Sequence, residues 1–336
     1  MTTETPTTSS SVEQTEVPTV ETVRELSRKY SNWERWGAND QLGTLNHVTP
    51  ELVAKASASI RSGKRISLGL NFDQNGPQGG GAFGGRFNPI HLMFRDGGDI
   101  ANGTVIDDFY GGNDRHIRGT DDMIIMPLQS GTQWDALGHI FFDGHMYNGR
   151  TPQAVTSKGA TFGDIAQAKN QIAGRGVLLD VARLKGVDAL EPGYAITAED
   201  LEACEAAQNV TVGRGDFVMV RTGQMGERKG NWSDYSAGSA PGLGFSSIPW
   251  VAEREIAAVA TDTWGMEVLP NESPDVFQPL HCVFLVAMGL FVGEIFDLED
   301  LAADCAEDGQ YDFFFCAPPL PFTRAVGSPV NPMAIK

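Results

Sequence analysis

The stretch LQSGTQWDALGHIFFDGHMYNG, residues 128–149, concentrates polar side chains of the kinds found in enzyme active sites. They are Gln129, Gln133, Asp135, His139, Asp143 and His145, and Gly131, Gly138 and Gly144 interrupt them. The preceding apolar residues Met123 to Met126 predict a strand that ends at Pro127, so the polar groups are expected to follow a strand rather than form one. Carboxylate, amide and imidazole groups gathered by a glycine-bent segment indicate a metal or hydrolytic site. A polar surface loop between two strands is the alternative.

The same stretch resembles the metal-site motif of the cyclase family, which includes bacterial kynurenine formamidase and isatin hydrolase. That motif is H-x-G-T-H-x-D-x-P-x-H, and here it spans Gln129 to His139. Four positions match, namely Gly131, Thr132, Asp135 and His139, whereas Gln129, Gln133 and Leu137 replace two histidines and the proline. The sequence is therefore similar to the family in spacing but departs from it at two expected metal ligands.

Two further candidate ligands lie far downstream, His281 and Glu294. Glu294 is a lone carboxylate in the apolar run Phe291 to Phe296, where an unpaired buried charge would cost several kcal/mol. An edge-exposed Glu294 and a merely structural His281 are the alternatives from the residues alone. The family resemblance implies that both complete the metal site.

The resemblance implies a metal-dependent hydrolase that uses a metal-activated water on a small cyclic or aromatic amide, ester or lactone. The implied metal ligands are Gln129, Gln133, Asp135, His281 and Glu294, with His139 as the catalytic proton carrier. Because an amide binds a cation through a neutral oxygen, this ligand set favours Mn²⁺ over Zn²⁺.

Two other functions remain open at this point. One is a metal-free lactonase or dehydratase in which His139 and Asp135 perform acid/base chemistry and Gln129 and Gln133 bind the substrate carbonyl. The other is a catalytically silent protein that binds a small carbonyl compound.

Aromatic residues cluster in the sequence near the motif, and an aromatic pocket would suit a cyclic or aromatic substrate. The candidate substrate contacts are Trp36, Trp134 and Phe83, the last within the glycine-dense stretch 75–89. That stretch predicts a mobile loop or a subunit arm, because no Lys-Ser/Thr pair follows it as in a phosphate-binding loop.

The chain has 336 residues and a net charge of −18, which argues against nucleic acid and against an anionic membrane surface as partners. No apolar run is long enough to cross a bilayer, and the start lacks the features of a signal peptide. Four cysteines without metal-type spacing indicate free thiols and a cytoplasmic protein. A small-molecule substrate and a homo-oligomer, dimer or tetramer as is common in the family, are the expected partners.

Residues 1–20, rich in Thr, Ser, Pro and Glu, predict a disordered tail, and residues 21–336 predict one domain. Apolar runs predict core strands at 176–181, 217–223 and 257–262. Strands and helices alternate irregularly, which indicates an α/β protein with a single mixed sheet. The family resemblance further implies the swivelling β/β/α type of this fold.

Overall fold

Three residues of the polar segment, Gln133–Asp135, lie within the main sheet. The computed structural model describes residues 17–79, 85–104 and 117–336. The strands are Arg65–Ser67 (β1), Ile90–Arg95 (β2), Asp121–Ile125 (β3), Gln133–Asp135 (β4), Val155–Thr156 (β5), Gly159–Ala160 (β6), Ala173–Asp180 (β7), Ala195–Ile196 (β8), Phe217–Arg221 (β9), Gly242–Leu243 (β10), Ala258–Thr261 (β11), Phe291–Glu294 (β12), Asp312–Cys316 (β13), Gly327–Pro329 (β14) and Met333–Ile335 (β15).

Nine of these strands form one mixed sheet in the order β1-β15-β13-β7-β9-β11-β12-β4-β14. Strands β7, β9, β11 and β12 run parallel, and β4 pairs antiparallel with both β12 and β14. The expected α/β class with a single mixed sheet is confirmed, and the three expected core strands are present as β7, β9 and β11. Since parallel strands bury both faces, they are almost wholly apolar.

The α-helices are Val20–Lys29 (α1), Pro50–Ala56 (α2), Gly97–Asn102 (α3), Val181–Leu184 (α4), Ala198–Ala207 (α5), Gln224–Arg228 (α6), Ser247–Glu253 (α7), Pro279–His281 (α8) and Glu299–Asp308 (α9). A fully buried π-helix, Cys282–Met288, continues α8. Local signals explain several starts: Thr49 caps α2 with Pro50 in its first turn, and Thr197 forms a capping box with Asp200 at α5.

The first helix starts at the predicted boundary between the tail, residues 1–20, and the domain, residues 21–336. Thr19 accepts a hydrogen bond from Thr22 N and forms a capping box, so helix α1 begins at Val20. Its buried residue Val23 packs in the main core. Residues 1–16 lie outside the described residues. No helix of the described ranges is long and apolar enough to cross a membrane.

Strands β2 and β3 form a separate two-stranded ribbon. The expected strand at Met123 to Met126 is therefore present as β3, but it is exposed along its whole length. The exposed apolar side chains of the ribbon are Ile90, Leu92, Met93, Phe94, Met123, Ile124 and Ile125. We refer to β2 and β3 together as the apolar ribbon.

Candidate active site

Strand β4 is the centre of the site, which corrects the expectation that its polar residues follow a strand. Gln133 and Asp135 are fully buried and point to one face of the sheet, because alternate residues of a strand share a face. The register pairs Gln133 with Glu294 and Asp135 with Val292. Two distant parts of the sequence therefore meet on adjacent strands.

Trp134 points to the other face and is a core residue, so its assignment as a substrate contact is wrong. Its ring is 0% exposed and packs edge-on against Phe296 and Phe315, and its indole N–H donates to the carbonyl of Ala317. Gly293 lies directly opposite on β12, and a Cβ there would come within 2.8 Å of the Trp134 ring. The missing side chain of Gly293 therefore makes room for the tryptophan.

The turn before β4 is fixed by packing and by one hydroxyl. A Cβ on Gly131 would lie 2.7 Å from the ring of Phe72, so glycine permits a close approach there. Thr132 Oγ1 donates to the carbonyl of Ile295 at 2.6 Å and accepts from Leu70 N at 2.9 Å. These contacts hold the start of β4 against the residue after Glu294.

His281 joins the two glutamates of the site. Its Nδ1 lies 2.6 Å from Glu267 Oε1, and its Nε2 lies 3.1 Å from Glu294 Oε1. Gln133 Nε2 donates to the other oxygen of Glu294 at 2.8 Å. All four residues, Gln133, Glu267, His281 and Glu294, are at most 3% exposed.

Glu267 was not among the site residues predicted from the sequence. It contacts His281 and fixes the orientation of its ring. Besides the imidazole, its carboxylate accepts from the backbone N–H of Leu280 and of His281, where helix α8 begins. A carboxylate that binds one nitrogen of an imidazole fixes which nitrogen faces a metal. Glu267 is a lone acid beside Met266 and Val268, the same signal that singled out Glu294.

The electrostatics of the group follow from burial and these contacts. Burial raises the pKa of the Asp135 carboxyl, His139 opposes this effect, and the nearby Glu294 adds to it. Burial acts to raise the pKa of Glu294, but the hydrogen bond and charge of His281 together with the charges of Arg86 and His139 outweigh it, and the pKa is lowered. Although burial acts to lower the pKa of His281, its hydrogen bonds to Glu267 and Glu294 raise it to about 10.

The cluster fits a divalent cation. Ligand atoms of Asp135, His281 and Glu294 lie within 4.8 Å of one another. Gln133 Oε1 and Asp135 Oδ1 are buried without a hydrogen-bond partner among the described residues. Both are acceptors, and a buried acceptor without a partner costs about 1–3 kcal/mol. Two carboxylates, an imidazole and an amide oxygen form a donor set that suits a hard divalent metal ion.

Two other expected site residues, His139 and Gln129, lie near Asp135. His139 Nε2 is 3.8 Å from Asp135 Oδ2, and the side chain is 19% exposed. Gln129 packs against Gly327, which pairs with Asp135 across β14 and β4. Phe83 lies outside the described residues.

Trp36 is not at the cluster, because it packs edge-on against His47 with ring centroids 5.1 Å apart. The carbonyl of His47 lies next to Gly215, just before the amino end of β9, whereas Glu294 lies at the carboxyl end of the parallel strand β12. Within the single chain Trp36 therefore lies toward the other end of the sheet, and its role as a substrate contact stays a prediction. Its place in the sequence, close to other aromatic residues, gave no information about which end of the sheet it occupies.

Comparisons with known proteins agree with this architecture. The cyclase family, described as putative cyclase, matches residues 26–268. A crystal structure described as a novel cyclase has a TM-score of 0.81 and 38% identity, over 91% of this chain and 99% of that chain. A search of curated proteins gave no match.

More distant structures share the fold. Isatin hydrolase A from Labrenzia aggregata, bound to benzyl benzoate, has a TM-score of 0.56 and 19% identity over 85% of this chain and 98% of that chain. An isatin hydrolase bound to the product analogue thioisatinate has a TM-score of 0.57 and 17% identity, over 84% and 95%. At these identities the likeness establishes the fold alone.

Proposed function

The chain belongs to the cyclase family, and from this premise we propose that it is a metal-dependent hydrolase of a small cyclic or aromatic amide, ester or lactone. The observation that carries the proposal is the buried cluster of Asp135, His281 and Glu294 with the unpartnered oxygens of Gln133 and Asp135. Isatin hydrolases among the structures of the same fold support the reaction class.

The proposed ligands are Asp135, His281 and Glu294, with the amide oxygens of Gln133 and Gln129 as further candidates. When bound, the cation lowers the pKa of a water molecule and polarises the carbonyl of the scissile bond. Gln133 and His281 each contact one oxygen of Glu294, so the Gln133 amide also fixes the orientation of the Glu294 carboxylate. Glu267 holds His281 from behind.

His139 is the proposed proton carrier. It lies beside Asp135 but keeps part of its ring in contact with solvent, so it is able to exchange protons. As the water oxygen attacks the carbonyl carbon, His139 accepts the proton of the water. It then donates this proton to the leaving nitrogen or oxygen, and the C–N or C–O bond breaks to give a carboxylic acid.

The metal-free acid/base enzyme is the second candidate. The hydrogen bond from Gln133 to Glu294 favours it, because this contact satisfies part of the cluster without a cation. Removal of the metal separates the two candidates and also tests the third function, a catalytically silent binding protein.

The test begins with protein stripped of metal by a chelator and verified by elemental analysis. We expect hydrolysis of a panel of cyclic amides, esters and lactones to disappear on stripping and to return better with Mn²⁺ than with Zn²⁺. A Gln133→His variant replaces an amide oxygen by an imidazole and is expected to shift the preference toward Zn²⁺. Full activity of the verified metal-free protein would favour the second candidate, and no hydrolysis under any condition would favour the binding protein.

A homo-oligomer and a cytoplasmic location are also proposed. The apolar ribbon supports the first, because an isolated two-stranded ribbon is only marginally stable in water and this one exposes apolar side chains on both strands. We propose that a second copy of the chain covers the apolar ribbon. The cytoplasmic location is supported by four free cysteines, three of them buried.

A further inference from the structure

Arg86 lies against one wall of the candidate site. Its guanidinium carbon is 5.2 Å from the centre of the Trp264 ring, a cation–π arrangement. Trp264 is 4% exposed, and its indole N–H donates to Gln78 Oε1 at 3.1 Å. A buried, hydrogen-bonded ring is a fixed support, so it restricts where the guanidinium points.

This wall connects the two halves of the site. Two residues after Trp264, the backbone N–H of Met266 donates to Glu294 Oε1 at 3.2 Å. Gln78 Nε2 donates to the carbonyl of Ser130, just before strand β4. Arg86 therefore packs on Trp264, whose neighbours in the chain and whose partner Gln78 hydrogen-bond to Glu294 and to the turn before β4.

The guanidinium has hydrogen-bonding capacity to spare. Among the described residues, Arg86 has no carboxylate within ion-pair distance and no hydrogen bond. Its five N–H groups form a planar fork that matches a carboxylate. A ligand carboxylate meets unfavourable charge elsewhere, because the chain carries a net charge of −18 and three acids, Asp135, Glu267 and Glu294, lie in the site itself.

We propose that Arg86, supported by Trp264, is a specificity-determining residue that binds a carboxylate of an aromatic or cyclic acyl compound. The inference rests on the proposed hydrolase function, since hydrolysis of an amide, ester or lactone yields a carboxylate. The carboxylate bound by Arg86 belongs either to the acid product or to the substrate itself.

The probe is benzoate, compared with its neutral analogue benzamide, in calorimetric titrations of protein with and without Mn²⁺. We expect benzoate to bind the parent about tenfold or more tightly than benzamide, since hydrogen bonds between charged groups contribute strongly. Arg86→Gln should abolish this preference, and Arg86→Lys should retain part of it, because lysine keeps the charge but not the fork.

The matched control is Arg65→Gln, which removes the same charge from an exposed position on β1 at the far edge of the sheet. It should leave the preference unchanged. Thermal unfolding of each variant verifies the fold. Equal binding of the two probes by the parent overturns the proposal, as does a benzoate preference that survives in Arg86→Gln.

Turnover separates the two sources of the carboxylate. With 2-formamidobenzoate, a substrate that carries its own carboxylate, Arg86→Gln should raise KM if Arg86 binds the substrate. With the neutral formanilide, KM should stay the same while inhibition by an added aromatic acid weakens. A benzoate preference that depends on Arg86 in a protein without hydrolytic activity would support this inference and refute the proposed function alone.

Discussion

Strands β3 and β4 are neighbours in the sequence and have opposite environments. Strand β3, Asp121–Ile125, is mostly apolar and exposed at every residue. Strand β4, Gln133–Asp135, carries an amide and a carboxylate and is buried at every residue. Hydrophobicity alone would assign the two strands the other way round.

The difference shows what each strand needs in order to be stable. In the sheet, the amide N–H of Gln133 is satisfied by Glu294, and the proposed cation would satisfy the unpartnered oxygens of Gln133 and Asp135. The apolar side chains of β3 contact solvent in the single chain, so their burial requires another molecule. The buried polar groups support the proposed active site, and the exposed apolar groups support the proposed interaction surface.

The largest expected effect concerns metal binding. Asp135→Asn and Glu294→Gln should each abolish most Mn²⁺ binding measured by calorimetry, because the two carboxylates neutralise the same ion. The double variant should lose little more than either single variant, since residues that act as a unit are not additive. Asp122→Asn on the apolar ribbon is the control and should bind normally. If Glu294→Gln binds Mn²⁺ as well as the parent, Glu294 is not a ligand.

A second comparison uses two histidines, each near an aspartate. His139 lies 3.8 Å from Asp135 beside β4, and His91 lies 2.7 Å from Asp122 on the ribbon. His139→Ala should lower kcat about 10²- to 10⁴-fold, the range for a lost proton-transfer group, while Mn²⁺ binding is retained. His91→Ala should leave kcat unchanged. Equal rates for the parent and His139→Ala would remove His139 from the mechanism.

The smallest expected effect is that of Ile124→Ala on folding, and the comparison with Trp134→Ala separates folding from association. Trp134→Ala should lower the free energy of unfolding by about 3–5 kcal/mol because it leaves a cavity in the core. Ile124→Ala should change it by less than about 0.5 kcal/mol at protein concentrations where the chain is monomeric. Denaturant titrations measure both.

At higher concentration, Ile124→Lys should reduce the molar mass measured by light scattering, because a charge is introduced into the proposed interface. The same mass for Ile124→Lys and the parent, or a monomeric parent at all concentrations, would contradict the role of the apolar ribbon in self-association.

Much of the fold could be predicted from local patterns. Apolar runs located β7, β9 and β11, and the Thr-Pro and Thr-x-x-Asp signals located the starts of α2 and α5. The motif spacing indicated Asp135, and the lone acid in an apolar run indicated Glu294. Both lie in the candidate metal cluster with His281.

Apart from the ligand set that the family resemblance implied, residue contacts across the sheet could not be predicted from local patterns. Trp134 lies between two site residues in the sequence, but the alternation of β4 turns it to the opposite face. The position of Trp36 relative to the site depends on which end of the sheet its loop reaches. Glu267 is recognised as a site residue only when its contact with His281 is known. These are properties of pairing and packing between distant segments, and no local pattern specifies them.

The pairing of Gln133 with Glu294 also constrains the order of events during folding. These residues are 161 positions apart in the chain, so the two halves of the site meet only when β4 inserts between β12 and β14. Contacts of such long sequence separation form slowly because chain closure is costly. The proposed cation would therefore find its full set of ligands only after the sheet has assembled, and we expect its binding to slow unfolding rather than accelerate folding.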